Sequence, residues 1–84
     1  MMNTMFLLMA EFETSTIPLA SISERYLGMK PSTAEKKAGC GELDIPTFRL
    51  GNSQKSPRMI HVSDLAEFID KRREEAKEEL KKMQ

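Results

Sequence analysis

An 84-residue chain with no tryptophan and five aromatics (Phe6, Phe12, Tyr26, Phe48 and Phe68) is expected to form one domain with a thin core. A domain of this size buries only roughly 60 to 65% of its unfolded surface, so help from a partner subunit is expected. Thirteen basic and thirteen acidic residues give a net charge of zero, which at first speaks against nucleic acid, and the lone Cys40 with the lone His61 leaves neither an internal disulfide nor a zinc set.

The apolar run at residues 5–10 is too short to cross a membrane. It has no Lys or Arg before it and is followed at once by Glu11 and Glu13, so neither a membrane span nor a signal peptide is expected. A cytoplasmic protein with no membrane partner fits. Residues 4–14 read instead as a short apolar helix, with Met5, Leu8, Met9 and Phe12 on one face filling core or a subunit contact; a strand is the alternative. "TSTIP" then reads as a turn, because Pro18 pushes Ile17 toward an extended conformation and Ser/Thr clusters favour turns.

A second helix is expected over residues 19–27, ended by Gly28 in the left-handed conformation that only glycine adopts without Cβ strain. The third follows within a few residues. It can begin at Pro31, which suits a first helical turn, or with Ser32 as N-cap and Glu35 three residues on as a capping box. It fades at "GCGEL", where Gly39 and Gly41 lower helix propensity. With Ala34 at the centre of its inward face, Ala38 follows one turn later and Met29 closes the near end. Ser32 and Lys36 then point outward, with Thr33 and Lys37 on the flanks.

Residues 45–50 and 58–62 favour strand on either side of "GNSQKSP", a loop rich in turn residues, and together predict a hairpin. Ser63 is a suitable N-cap, and Asp64 a favourable first-turn acid, for a last helix over residues 63–83. Leu65, Phe68, Ile69, Arg72, Ala76, Leu80 and Met83 share one stripe of it, with Glu67 to Lys71 and Glu78 to Lys82 as supporting pairs. Because Ala76, Leu80 and Met83 continue the stripe past the end of the domain, they are the candidate oligomer interface.

The order of elements predicts an α+β fold, a small winged helix-turn-helix domain with a β-hairpin wing and a long C-terminal helix. Residues 1–18 form the apolar N-terminal segment, 19–43 the helix-turn-helix, 44–62 the wing and 63–84 the last helix.

Charge is unevenly distributed. Residues 1–24 carry −3 and residues 59–84 carry −1, while residues 25–58 hold seven bases (Arg25, Lys30, Lys36, Lys37, Arg49, Lys55, Arg58) against Glu35, Glu42 and Asp44, a local +4. A local field attracts phosphate even when the total is zero. On the third helix, small side chains, hydroxyls and ammonium groups suit entry into a major groove about 12 Å wide. The candidate DNA contacts are therefore Lys30, Ser32, Thr33, Lys36 and Lys37 on that helix, and Gln54, Lys55 and Arg58 on the wing. Catalytic residues are not expected: the serines lack a G-x-S-x-G setting, no phosphate loop occurs, and His61 has no partner residue nearby in sequence.

The stretches "NTMFLLMAEF", "IPL" at residues 17–19, "PSTAEKKAGCGELDIPTFRL", "SQKSPR" and "HVSDLAEFIDKRREEA" occur in this order over nearly the whole chain. Together they resemble the pyocin activator protein (PrtN-like) family of small bacterial and prophage transcriptional regulators. The central "LGMKPSTAEKKAGCGEL" is similar, more loosely, to the helix-turn-helix of MerR-type and excisionase-type winged domains. Lys30 stands where related segments often have Ser, which leaves the N-cap open.

The family resemblance implies DNA binding upstream of phage-tail-like bacteriocin or prophage genes and activation of their transcription. The partners expected are double-stranded DNA, a second copy in a homodimer or higher oligomer, and RNA polymerase as a candidate. No cofactor is expected. An excisionase-like architectural DNA binder and a small protein-interaction module without nucleic acid are the competing readings; only the DNA readings need the +4 region on one face.

Overall fold

The computed structural model describes residues 3–84, in which four helices and a three-stranded antiparallel sheet form an α+β fold. Residues 1 and 2 of the expected N-terminal segment lie outside the described residues. Helix α1 (Thr4–Phe12) opens on Asn3, whose side chain accepts a 2.8 Å hydrogen bond from the Phe6 N–H. It closes at Glu13, which takes the left-handed conformation (φ 57°) and donates its N–H to the Met9 carbonyl. The helix stops short of the expected Thr14.

Of its expected inward face, Leu8 is fully buried and Phe12 partly so, but Met5 and Met9 are exposed. The reason is packing: α1 lies chiefly on one neighbour, the last helix, to which Thr4 Oγ1 donates at 2.5 Å through Asp70 Oδ1. One neighbour covers only a narrow stripe.

"TSTIP" is not a free turn. Thr16–Pro18 forms strand β1, paired antiparallel with the later strand β3 (Arg58–His61) as Thr16↔His61, Ile17↔Ile60 and Pro18↔Met59. Pro18 is tolerated because β1 is an edge strand, and the β-branched Thr and Ile favour the extended chain once β3 offers a free edge. The Val62 N–H continues the pairing to the Ser15 carbonyl at 2.8 Å.

Helix α2 (Leu19–Ile22) runs into a π-helical turn (Ser23–Leu27) that ends at Gly28, φ 68°, as expected for a left-handed glycine cap. Ser23 is completely buried, and its hydroxyl donates to the Leu19 carbonyl at 2.7 Å. Such a bond to the preceding turn bends a helix and suits the widened spacing that follows.

Helix α3 (Pro31–Gly39) begins with Pro31 in its first turn and Lys30 at the N-cap without a side-chain bond, so the Ser32/Glu35 capping box is not used. The hairpin pairs β2 (Phe48–Arg49) with β3 as Phe48↔Met59 and Arg49↔Arg58. Strand β2 is shorter than residues 45–50 because Pro46 has no N–H to donate; Ile45, ahead of it, is buried in the core instead.

Helix α4 (Val62–Met83) starts one residue earlier than expected. His61, not Ser63, is its N-cap, with Nδ1 accepting from the Ser63 N–H at 3.1 Å and lying 2.7 Å from the Ser63 hydroxyl. Val62, expected at the end of a strand, is therefore the first helical residue and fully buried. Among the described residues neither Glu67–Lys71 nor Glu78–Lys82 closes; Lys77 reaches Glu74 at 3.5 Å instead.

The core draws on every layer: Leu8, Ile17, Leu19, Ile22, Ala34, Ile45, Ile60, Val62, Leu65 and Ala66. At its edge the Phe12 and Tyr26 rings sit 6.1 Å apart, the Tyr26 hydroxyl donates to Glu11 Oε2 at 3.0 Å, and Arg25 pairs with the same carboxylate. Burial first, then the hydrogen bond and charge of Glu11, push the Tyr26 phenol above 10.0, against a smaller opposite pull from Arg25.

A folded-state value raised above the unfolded one means that this contribution to stability is complete below pH 10 and lost as pH rises through the folded value. Tyr26 is the only tyrosine and there is no tryptophan, so phenolate absorbance reports it alone. The titration midpoint is expected above 10.0 in the native chain and lower in Glu11→Gln, while remaining raised by burial. A midpoint unchanged by that substitution would show that Glu11 does not act on the phenol.

Candidate nucleic-acid interface

Helix α3 has two unlike faces. Ala34 is completely buried, and Ala38 and Met29 pack against the core, so small side chains bring α3 close to α2 and its π-helical turn. Ser32, Thr33, Lys36, Lys37 and Gly39 are exposed on the rest of the helix, with Lys30 exposed at its start. This is the division that the helical spacing predicts.

The loop between β2 and β3 is held by its own bonds. Arg49 Nε donates to the Ser56 carbonyl at 3.0 Å, the Ser56 N–H to the Ser53 carbonyl at 3.0 Å, and the Lys55 N–H to Ser53 Oγ at 3.1 Å. Gly51 lets the two sides of the loop close, since a Cβ there would collide with the Ser56 side chain. Gln54 and Lys55 stand exposed at the tip.

Arg58 does not stand with them. It is the first residue of β3, and its guanidinium folds onto α3, with Nε 3.0 Å from Glu35 Oε2 and Nη1 donating to Thr47 Oγ1 at 3.3 Å. The side chain is only 17% exposed against 45% for Glu35. Its Nε is buried and makes no aligned hydrogen bond, so the attraction to Glu35 is a close charge contact rather than a linear bond.

The guanidinium also lies over the end of α3, where a Cβ on Gly39 would come 3.6 Å from Nη2. A cation there meets the negative end of the helix dipole. Arg58 therefore ties the hairpin to the side of α3. Sequence reasoning missed Glu35 as its partner, although Glu35 is the one acid on an otherwise basic helix.

Pairing leaves the local charge intact. Of the seven bases in residues 25–58, Arg25 goes to Glu11 and Arg58 to Glu35; of the three acids, Glu35 is taken by Arg58, and Asp44 by Arg72 at 3.4 Å. Lys30, Lys36, Lys37, Arg49 and Lys55 remain without an ion pair among the described residues against Glu42, again +4, and four of these five bases are exposed lysines.

The exposed lysines of α3 and the tip of the loop beside it can donate to anionic oxygens, and the hydroxyls of Ser32 and Thr33 can both donate and accept. Farther off, Ala76, Leu80 and Met83 are exposed on the outer half of α4. Among the described residues no group of three His, Cys, Asp or Glu could hold a metal, and no helix is long and apolar enough to cross a membrane.

Truncating Arg58 removes a partly buried charge contact, a hydrogen bond and the packing of its stem. Arg58→Ala is expected to lower stability to chemical denaturation by about 1–2 kcal/mol, whereas Lys55→Ala, at the solvated tip, should change it by less than about 0.5 kcal/mol. Equal effects from the two would remove Arg58 from its role as a clamp.

No curated protein and no solved structure matches this chain. A family model described as pyocin activator protein PrtN matches residues 4–76, a span that takes in α1, the sheet, α2, α3 with the hairpin beside it, and most of α4; the chain belongs to the pyocin activator protein PrtN family.

Proposed function

We propose that this protein is a winged helix-turn-helix regulator of the cytoplasm that binds double-stranded DNA and activates transcription of pyocin-like or prophage genes. The observation that carries the reading is the unpaired, lysine-bearing outer face of α3 with the hairpin clamped at its side by Arg58 and Glu35. In this reading α2 and α3 are the helix-turn-helix, α3 enters the major groove, and the hairpin is the wing. Activation, as distinct from binding, is supported by family membership.

Ser32 and Thr33 sit near the N-terminal end of α3, where side chains reach base edges, while Lys30, Lys36 and Lys37 neutralise phosphates on either side. Gln54 and Lys55 extend the contact to the backbone or minor groove beside it. Arg58 acts by positioning the wing, because its guanidinium is already engaged with Glu35 and Thr47. Self-association through Ala76, Leu80 and Met83 would double the basic surface on paired half-sites, and RNA polymerase is the further partner that activation calls for. No catalytic group enters this reading.

Lys36→Ala combined with Lys37→Ala is expected to weaken DNA binding while leaving the fold intact, since both side chains are solvated. With about four to seven phosphates neutralised per subunit, log affinity should fall against log salt with a slope of about −4 to −6. Full binding by the double variant, or an affinity indifferent to salt, would dismiss α3 as the contact helix. In a selection from random DNA, Lys55→Ala should lower affinity across all sequences, whereas substitution of Ser32 should change which sequence is preferred.

Truncation after Arg73 removes Ala76, Leu80 and Met83 but none of the core, so the fold should persist and self-association weaken. Light scattering on the two forms reads this directly; an oligomer unchanged by truncation would remove the tail from the interface.

A further inference from the structure

We infer, resting on the DNA-binding reading above, that Arg49 binds a backbone phosphate of double-stranded DNA between the contacts of α3 and those of the loop tip. Of the five bases in residues 25–58 without an ion pair, the four lysines already have a part in that reading. Arg49 has none.

Register places the side chain. Arg49 is the last residue of β2 and stands directly opposite Arg58 in the antiparallel pair. Directly opposed residues project from the same face of a sheet, so Arg49 lies on the face from which Arg58 reaches α3. Like charges set opposite one another in this way are destabilising. Glu35 answers the charge of Arg58 at 3.0 Å, and no acid among the described residues pairs with Arg49. An anion from outside the chain supplies what is missing.

The guanidinium is anchored without being used up. Its Nε donates to the Ser56 carbonyl at 3.0 Å, and neither Nη atom has a hydrogen-bond partner among the described residues. Both reach the surface, because Arg58 Nε is the only buried side-chain nitrogen or oxygen left without a partner among those residues. The Nη groups hold the remaining N–H donors in one plane, a fork that matches two oxygens of a phosphate. An anchored guanidinium also has less freedom to lose on binding than a solvated lysine.

Its neighbours select a polyanion. Ser56 follows Lys55 of the loop tip, and Arg58 reaches the end of α3 at Gly39. Bonded to Ser56 and paired with Arg58, Arg49 lies between the tip and that helix end. A DNA strand spanning helix and wing passes this point, and its regularly spaced phosphates can meet lysines on both sides of the arginine.

Salt dependence on a mixed-sequence DNA duplex tests the contact. Arg49→Gln is expected to make the slope of log affinity against log salt shallower by about 0.9, the share of one phosphate. Arg49→Lys keeps the charge and should keep the slope. A role confined to closing the loop through Ser56 would not separate the two variants, so equal slopes in both overturn the proposal.

A measurement on the unaltered chain covers misfolding of the variants. An arginine-selective dicarbonyl reagent, read by peptide mass spectrometry, should modify Arg49 in the free chain and be blocked from it by the duplex. Arg73, exposed on α4 and without an ion-pair partner among the described residues, should react alike in both. Equal modification of Arg49 with and without duplex, or none in the free chain, overturns the proposal. If Arg49 is unprotected while Lys36→Ala with Lys37→Ala abolishes binding, this contact falls and α3 stands; a native chain with no affinity for duplex brings down both.

Discussion

The strand β3 is bonded along both edges, and the other elements take their places from that pairing. Ile60 and its partner Ile17 are both buried, so a slip of one residue along β1 would replace them with neighbours that point to the other face. The other edge holds β2 and so fixes the hairpin. Without any loop, β3 becomes α4, whose first turns bury Val62 and Leu65, while Arg58 at the opposite end reaches Glu35 on α3. Four residues thus set the angle of the last helix, the position of the hairpin and the side from which α3 is braced.

Basic residues divide by type. Four of the five arginines are bonded within the chain: Arg25 to Glu11, Arg49 to the Ser56 carbonyl, Arg58 to Glu35 and Thr47, and Arg72 to Asp44. The lysines at 30, 36, 37 and 55 have no ion-pair partner among the described residues. This matches their chemistry, since a planar guanidinium loses less freedom per bond formed and a flexible ammonium is strongly hydrated. Within residues 25–58 the three arginines are thereby bonded inside the chain while the four lysines are presented to solvent on α3 and the loop beside it.

Helices α1 and α3 have nine residues each and one fully buried side chain each, Leu8 and Ala34. Their outward faces are opposites. On α1 the exposed Met5, Phe6, Leu7 and Met9 are large and apolar, which suits another apolar surface; on α3, with Glu35 taken up by Arg58, they are short hydroxyls and long lysines, which suit a charged one. The buried alanine lets α3 sit close to the π-helical turn. The leucine of α1 needs more room and a larger neighbour, and α4 provides it.

Much of this was legible in the residues. Helical spacing around Ala34 marked out the two faces of α3, Gly28 marked its turn, Asp64 the first turn of α4, and the mixture of helices and hairpin pointed to an α+β fold, because each depends on neighbours close in sequence. The uneven charge along the chain was equally visible. What the tertiary structure alone decided depends on residues far apart.

Thr16–Pro18 became a strand because β3, more than forty residues on, offered it an edge. Arg58 turned inward because folding brought Glu35 and the end of α3 beneath it. Met5 and Met9 stayed in water because the last helix, the chief neighbour of α1, covers only a narrow stripe of it. Periodicity reveals which side chains share a face; only packing determines which of those faces finds a neighbour, since a local pattern carries no record of what lies across the core.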